Sequence, residues 1–441
     1  MRYFLDQFGC AKNQVDGENM MALLDRAGWS ACADAKDADL IIVNSCGFIK
    51  PAKQESINAV IAWKNRYAEK KVLLAGCLAQ RYKDDLSQSL DEADAILNLS
   101  ESHLVAEAAS KLTGASFTTR RALNSGERPL GGFPGSAYVK IAEGCNNRCS
   151  FCAIPLIRGP LHSRGINDIC GEIAALLRRG VKEICLIAQD LCAYGNDFTA
   201  PPEKPVSFLR LLLEEIAALG GHFWVRLLYM HSDHFPLDIL ELIKSDGRFL
   251  PYFDIPVQHA SPSVLGAMGR RSSAESNLKL LETIRGRLPR AVIRSTFLVG
   301  FPGESDGDFE QLLRFQKKAR FDWLGVFTYS REENTPSYSM KNRVSKKTAQ
   351  ERKKQIEEAQ RAISETQMDR FTGKNLEVLV EEKIEAPESG EDIYLGRLYL
   401  HACEVDGAAV IERTGHGEVC AGNLYPCTVQ GRAGFDLRVT V

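Results

Sequence analysis

Cys145, Cys149 and Cys152 stand in Glu-Gly-Cys145-Asn-Asn-Arg-Cys149-Ser-Phe-Cys152, a C-x3-C-x2-C spacing. Cubane iron–sulfur clusters that only carry electrons are held by four cysteines, so three thiolates leave one iron open to another ligand. An open iron is a place for chemistry. The competing reading is a zinc site. Closed zinc sites are tetrahedral and want a fourth ligand, and Cys170 lies too far along for that spacing.

A second set of cysteines is defined by placement. Arg2 to Phe8 leads into Gly9-Cys10, Ala38 to Asn44 into Ser45-Cys46, and Lys71 to Ala75 into Gly76-Cys77, with helix-like stretches between them. Strands alternating with helices predict a parallel sheet, whose ligands sit at the carboxyl ends of its strands. A single buried cysteine is usually a small hydrophobe. Three at equivalent strand ends favour shared metal ligation. The remaining cysteines, Cys32, Cys170, Cys185, Cys192, Cys403, Cys420 and Cys427, read as packing residues.

The chain that must position these sets has 441 residues, too many for one core. Its thirteen cysteines and net charge of −2 fit reduced thiols and metal ligation, and argue against a disulfide framework or a surface that coats nucleic acid. No stretch approaches the roughly eighteen apolar residues of a membrane span. A cytoplasmic protein is expected.

The cysteine loop Cys145–Cys152 resembles that of the radical S-adenosylmethionine enzymes. There the cofactor's amino and carboxylate groups chelate the open iron, and an electron splits the sulfonium to give a 5'-deoxyadenosyl radical. Phe151 fills the place where that superfamily packs adenine. With the second set, the chain resembles the methylthiotransferase family along its whole length. Gly9-Cys10-Ala-Lys12-Asn13-Gln-Val15-Asp16-Gly-Glu18 and Ala75-Gly76-Cys77-Leu-Ala-Gln80-Arg81-Tyr82 carry the likeness in the first third. Ile255-Pro-Val-Gln258-His259-Ala-Ser261, Phe297-Leu-Val-Gly300-Phe-Pro302-Gly303-Glu304-Ser305 and Phe327-Thr-Tyr329-Ser330-Arg331-Glu332-Glu333 carry it later. The resemblance implies two 4Fe-4S clusters, one on Cys145, Cys149 and Cys152, and an auxiliary one on Cys10, Cys46 and Cys77 that carries the sulfur to be transferred.

Residues 131 to 369 read as six strand–helix units, with strands over Ala137–Ala142, Glu183–Ala188, Phe223–Leu228, Tyr252–Ile255, Ala291–Val299 and Trp323–Phe327. Such a run predicts a partial (β/α) barrel with its site on the C-terminal face. The resemblance implies S-adenosylmethionine contacts from Phe151, Gln189, Gln258, Arg294, Thr296, Gly300 and Glu304. The plain alternative for Gly300 to Glu304 is a strand-to-helix turn capped by Glu304. His259 and Asp190 are read as structural groups, and no catalytic acid or base is nominated.

Residues 345 to 368 predict a helix whose lysines and arginines, Arg352 among them, interleave with glutamates as a solvated face. Beyond Phe371, short strands over Leu376–Val380, Ile393–Leu400, Ala408–Ile411, Tyr425–Val429 and Phe435–Val441 predict a small β-barrel. The family has an OB-like TRAM domain there that binds the macromolecular substrate. The expected division is 1–125 for the auxiliary-cluster domain, 131–369 for the radical core and 370–441 for the TRAM domain.

That last segment holds six basic residues against twelve acidic ones (Glu377, Glu381, Glu382, Glu385, Glu388, Glu391, Asp392, Glu404, Asp406, Glu412, Glu418 and Asp436), a formal net of minus six. Such a surface would repel phosphates and suits a basic partner. Ala11-Lys12-Asn13 and Ser330-Arg331-Glu332-Glu333 also look like the branch that modifies an aspartate of ribosomal protein S-twelve, the RimO type. The expected reaction is methylthiolation of the β-carbon of that aspartate, one S-adenosylmethionine supplying the radical and another the methyl. The alternatives are the branch acting on isopentenyl-adenosine beside the tRNA anticodon, and a non-catalytic redox protein. Two departures from the family stand out: Asn334 where glycine is usual, and Met230-His231-Ser232 in place of a proline-containing turn.

Overall fold

The structure, a computed structural model, describes residues 1–115, 125–200, 205–384, 393–413 and 418–441. Glu385, Glu388, Glu391 and Asp392 of the charge pattern lie outside the described residues. The N-terminal strands are β1 (Arg2–Gln7), β2 (Ser30–Ala31), β3 (Leu40–Ser45), β4 (Lys71–Gly76) and β5 (Ala95–Ile96). They pair in parallel in the order β2-β1-β3-β4-β5. β3 is buried along its whole length, as a central parallel strand covered on both faces must be. Helices Ala11–Arg26 and Val105–Thr113 cover one face through Met20, Leu24, Val105 and Ala109. Helices Lys50–Arg66 and Cys77–Ser89 cover the other through Val60, Leu78 and Leu86.

The core strands are β6 (Ser136–Lys140), β7 (Ala142–Glu143), β8 (His162–Ser163), β9 (Glu183–Ile187), β10 (Trp224–Leu227), β11 (Phe249–Asp254), β12 (Val292–Val299) and β13 (Trp323–Thr328). β6 and then β9 to β13 pair in parallel in chain order, while β7 and β8 form a small antiparallel ladder beside the cysteine loop. Strands are added in one direction and stop at six, which leaves the barrel open. Side chains alternate across the sheet. Val139, Ile184, Leu186, Val225 and Ile293 face the helices, meeting Ile169, Ile173 and Leu176 of Ile166–Arg178 and Leu209, Leu212 and Leu213 of Phe208–Ala217. Tyr138, Cys185, Ile187, Trp224, Tyr252, Val292 and Trp323 face inward.

That inner apolar face is covered by the C-terminal barrel. Strands β14 (Asn375–Ile384), β15 (Ile393–Leu398), β16 (Ala409–Glu412), β17 (Leu424–Ala433) and β18 (Asp436–Thr440) close in the order β14-β15-β16-β18-β17. Tyr399, Leu400 and Ala402, just past β15, join the inner-face cluster. Polar groups fix the contact. Glu183 is held by Arg226 at 2.7 Å and by Arg397 of the barrel at 2.6 Å, and the Trp323 indole donates to the Leu400 carbonyl at 2.7 Å. This domain is therefore built into the core. The helix Lys346–Asp369 departs from expectation at Arg352, which is buried and paired with Glu304 at 2.9 Å and Asp306 at 2.7 Å instead of lying on a solvated face. An arginine can bury its stem and head together when carboxylates satisfy its donors.

Candidate functional site

Each cysteine of the N-terminal set follows a strand end: Cys10 after β1, Cys46 after β3, and Cys77 opening a helix after β4. Left-handed glycines make the sharp turns, Gly9 at φ +91° and Gly76 at φ +91°. The loops abut so closely that a Cβ on Gly9 would lie 3.2 Å from the Cys46 Cβ, and one on Gly47 2.6 Å from the Cys77 carbonyl oxygen. Asn13 ties them together: its Nδ2 donates to the carbonyls of Phe8, Asn44 and Ser45, and its Oδ1 lies 3.8 Å from the Cys77 sulfur. Burial raises the Cys10 thiol, but Lys12, Arg158 and two backbone N–H groups outweigh it and bring the net below the usual value. Burial pushes the Cys77 thiol up to about 12, with Arg158 opposing. Three thiols converging here, two of them facing cations that favour thiolate, fit a cluster with one open position.

The Cys145, Cys149 and Cys152 trio lies in the loop after β7. Gly144, at φ +72°, starts it where a Cβ would collide with the Pro160 carbonyl at 1.9 Å. The Cys145 and Cys152 sulfurs accept from the N–H groups of Asn147 at 3.4 Å and Ile154 at 3.5 Å, and Cys149 faces Arg270. Asp190, after β9, accepts from Asn147 at 2.6 Å and His234 at 2.7 Å, so it pins the loop, as a structural reading implies. This donor set fits an iron–sulfur cluster: three sulfurs on one short loop, with backbone N–H groups aimed at two of them.

Charged side chains that sequence reasoning missed join the trios. Arg158 ends the short helix Ile154–Arg158 and is only 8% exposed. It donates to the Cys77 sulfur at 3.0 Å, to Asp16 at 2.9 Å and to Glu143 at 2.9 Å. Lys140 pairs with Asp16 at 2.5 Å and also with Glu143, while Gln189 donates to Glu143 at 2.6 Å. The available signal was two charges, Glu143 and Arg158, bracketing a cysteine loop with apolar residues around them.

The expected cofactor contacts separate into two groups. Gln189 sits at the strand ends with its Oε1 buried and without a hydrogen-bond partner among the described residues. Phe151 packs against Val264, Met268, Leu298 and Phe301. Gln258 adopts φ 68° and bridges to β12, exchanging backbone hydrogen bonds with Thr296 and Leu298 at 2.8 Å. Arg294 turns toward the barrel domain, pairing with Asp254 at 3.1 Å and Asp406 at 3.4 Å. Glu304 is buried under its own turn, accepting from the Gly300 and Phe301 N–H groups and from Arg352. Gly300 lets the helix Lys346–Asp369 approach, since a Cβ there would lie 2.5 Å from that of Ala349. His259 is buried, accepts from the Ser261 N–H at 3.0 Å, and burial lowers its pKa to about 4.

A latch closes the far side. Glu332 pairs with Lys53 at 2.8 Å and Arg81 at 2.8 Å, and Glu333 accepts from the Tyr82 hydroxyl at 2.6 Å. Asn334 follows at φ +64°, a left-handed conformation that asparagine tolerates better than most residues, which explains how it replaces glycine.

Residues 2–98 match the uncharacterized protein family UPF0004, residues 139–315 the radical SAM superfamily and residues 372–441 the TRAM domain. A protein of Treponema denticola named ribosomal protein uS12 methylthiotransferase RimO is 45% identical over 98% of this chain and 99% of its own. Relatives of the same name from Pseudothermotoga lettingae and Thermotoga maritima are 39% and 37% identical, each over 99% of both chains. Among solved structures, the radical S-adenosylmethionine methyltransferase TsrM of Kitasatospora setae superposes with a TM-score of 0.56 at 14% identity, covering 76% of this chain and 74% of its own, a likeness of fold. With full-length relatives of this identity and its cysteine loops on adjoining domains, the chain belongs to the RimO family of radical S-adenosylmethionine methylthiotransferases.

Proposed function

We propose that this protein methylthiolates the β-carbon of an aspartate of ribosomal protein uS12 in the cytoplasm, consuming two S-adenosylmethionine molecules, one for the radical and one for the methyl. The observation that carries the reading is the pair of three-thiol sets on adjoining domains, joined through Arg158, Asp16 and Glu143. Cys145, Cys149 and Cys152 would hold one 4Fe-4S cluster, and Cys10, Cys46 and Cys77 a second. When bound, these would supply the electron that cleaves the sulfonium and the sulfur to be transferred.

The chain's own residues then bind and orient. Glu143 fixes the Gln189 amide so that its free Oε1 can accept from the cofactor. The half-buried Phe151 ring offers a face for adenine, and Gln258 and Thr296 complete the contacts. Arg294, Gly300 and Glu304 shape the pocket from behind. In this reading residues 1–125 carry sulfur, 131–369 generate the radical and 370–441 meet the substrate. Glu382, Glu404, Glu412 and Glu418 remain exposed on the barrel, which favours a basic protein over tRNA.

The test offers anaerobically reconstituted protein a peptide bearing the ribosomal loop aspartate and, in parallel, a tRNA bearing isopentenyl-adenosine. A methylthio mass gain on the peptide alone supports the reading. A gain on the tRNA alone overturns the substrate, and no cleavage of S-adenosylmethionine overturns the chemistry.

A further inference from the structure

Lys12 is the second residue of the helix that follows Cys10, and only 7% of it is exposed. Its ammonium stands 3.0 Å from the centre of the Tyr229 ring, just beyond the end of β10. That ring is held in place: Tyr229 adopts φ 65° and its N–H donates to Asp254 at 3.1 Å. The lysine thus reaches from the auxiliary cysteines into the strand ends of the radical core.

Its surroundings leave it unmatched. Asp254 is engaged by Arg294, and Glu143 by Lys140, Arg158 and Gln189. Nearby Lys140 and Arg158 both pair with Asp16. Among the described residues the Lys12 ammonium has neither a hydrogen-bond acceptor nor an ion-pair partner; it rests on the aromatic face, with Cys10, Asp254 and Glu143 acting on its charge only from a distance. A cation–π contact gives about 0.5–2 kcal/mol and accepts none of the ammonium's hydrogen bonds, so burial leaves those donors unsatisfied. The three N–H donors are satisfied only when an acceptor arrives, and a carboxylate supplies both acceptor and charge.

We propose that the Lys12 ammonium binds the side-chain carboxylate of the target aspartate and makes the site select an acidic side chain over a neutral one. The inference rests on the substrate reading above and names the residue that enforces it. Anchoring the carboxylate fixes the β-carbon one bond away, the carbon that must be presented to both cysteine sets. The methionine carboxylate of S-adenosylmethionine has the same chemistry, so the test separates the two.

Full-length, iron-loaded parent, Lys12→Met and Lys12→Arg proteins are titrated anaerobically with the target peptide, with its asparagine counterpart, and with S-adenosylmethionine. Methionine keeps the unbranched stem against Tyr229, and arginine keeps the charge. The parent is expected to prefer the aspartate peptide about tenfold, the worth of one charge-assisted hydrogen bond. Lys12→Met should reduce that preference to within about twofold, and Lys12→Arg should retain most of it. A preference that survives in Lys12→Met overturns the assignment. So does a loss of S-adenosylmethionine affinity with peptide preference intact, which would give the carboxylate to the cofactor. Should Lys12→Met not load iron, Lys12→Gln enters the same comparison. A parent that binds neither peptide overturns the substrate reading itself.

Discussion

The Arg158 guanidinium donates to the Cys77 sulfur at 3.0 Å, so a residue of the radical core touches a proposed ligand of the other domain. A cationic hydrogen bond to a ligand sulfur stabilises the reduced cluster and raises its potential. Replacing Arg158 by Gln should shift the auxiliary midpoint by about 60 mV to more negative potential, the one-electron equivalent of a tenfold change. The measurement is an electron-paramagnetic-resonance redox titration in a Cys149→Ala background, and an unchanged midpoint at full iron loading would count against the link.

The two trios should fail differently. Cys149→Ala is expected to abolish 5'-deoxyadenosine formation, whereas Cys46→Ala should spare it and block sulfur insertion. Chromatography of the nucleoside and mass spectrometry of the peptide separate the outcomes. Methylthiolated product from Cys46→Ala would refute the division of labour.

Glu183 links stability to pH. Although burial raises its pKa, Arg397 and Arg226 outweigh this and bring the carboxyl from its ordinary 4.5 down to about 2. A depressed carboxyl stabilises the fold above its unfolded pKa, and that stability is lost as pH falls through the folded one, here between about 4.5 and about 2. Glu183→Gln should cost on the order of 3 kcal/mol at neutral pH and flatten the acid limb of the stability curve. Denaturant melts of parent and variant across that window test it.

Glu332 is 2% exposed and meets Lys53 and Arg81 from the N-terminal domain. Removing one partner of a buried pair leaves the others uncompensated, at about 3 kcal/mol. Glu332→Ala should therefore melt earlier and expose the Lys50–Arg66 and Cys77–Ser89 helices to proteolysis or hydrogen exchange. Equal protection in parent and variant would remove the latch from the account.

The sequence by itself determined both cysteine sets and the strands that carry them. Cys145, Cys149 and Cys152 share one loop, so their spacing is the geometry, and Leu-Ile-Ile-Val before Asn44 can be little but a buried parallel strand. The Gly300–Glu304 turn was likewise legible, because glycine and a capping carboxylate act within four residues. Tertiary structure decided which charges meet. Arg158 and Cys77 lie 81 residues apart, Lys53 and Glu332 279, and Arg397 and Glu183 214, and no local pattern distinguishes them from solvated surface charges. Tertiary structure also decided that the C-terminal barrel covers the inner face of the core, because an open six-stranded sheet leaves Trp224, Tyr252 and Trp323 without neighbours until another domain supplies them. Local spacing fixes cysteine loops and turns, whereas burial of charge and closure of an apolar face depend on surfaces that exist only once the domains have packed.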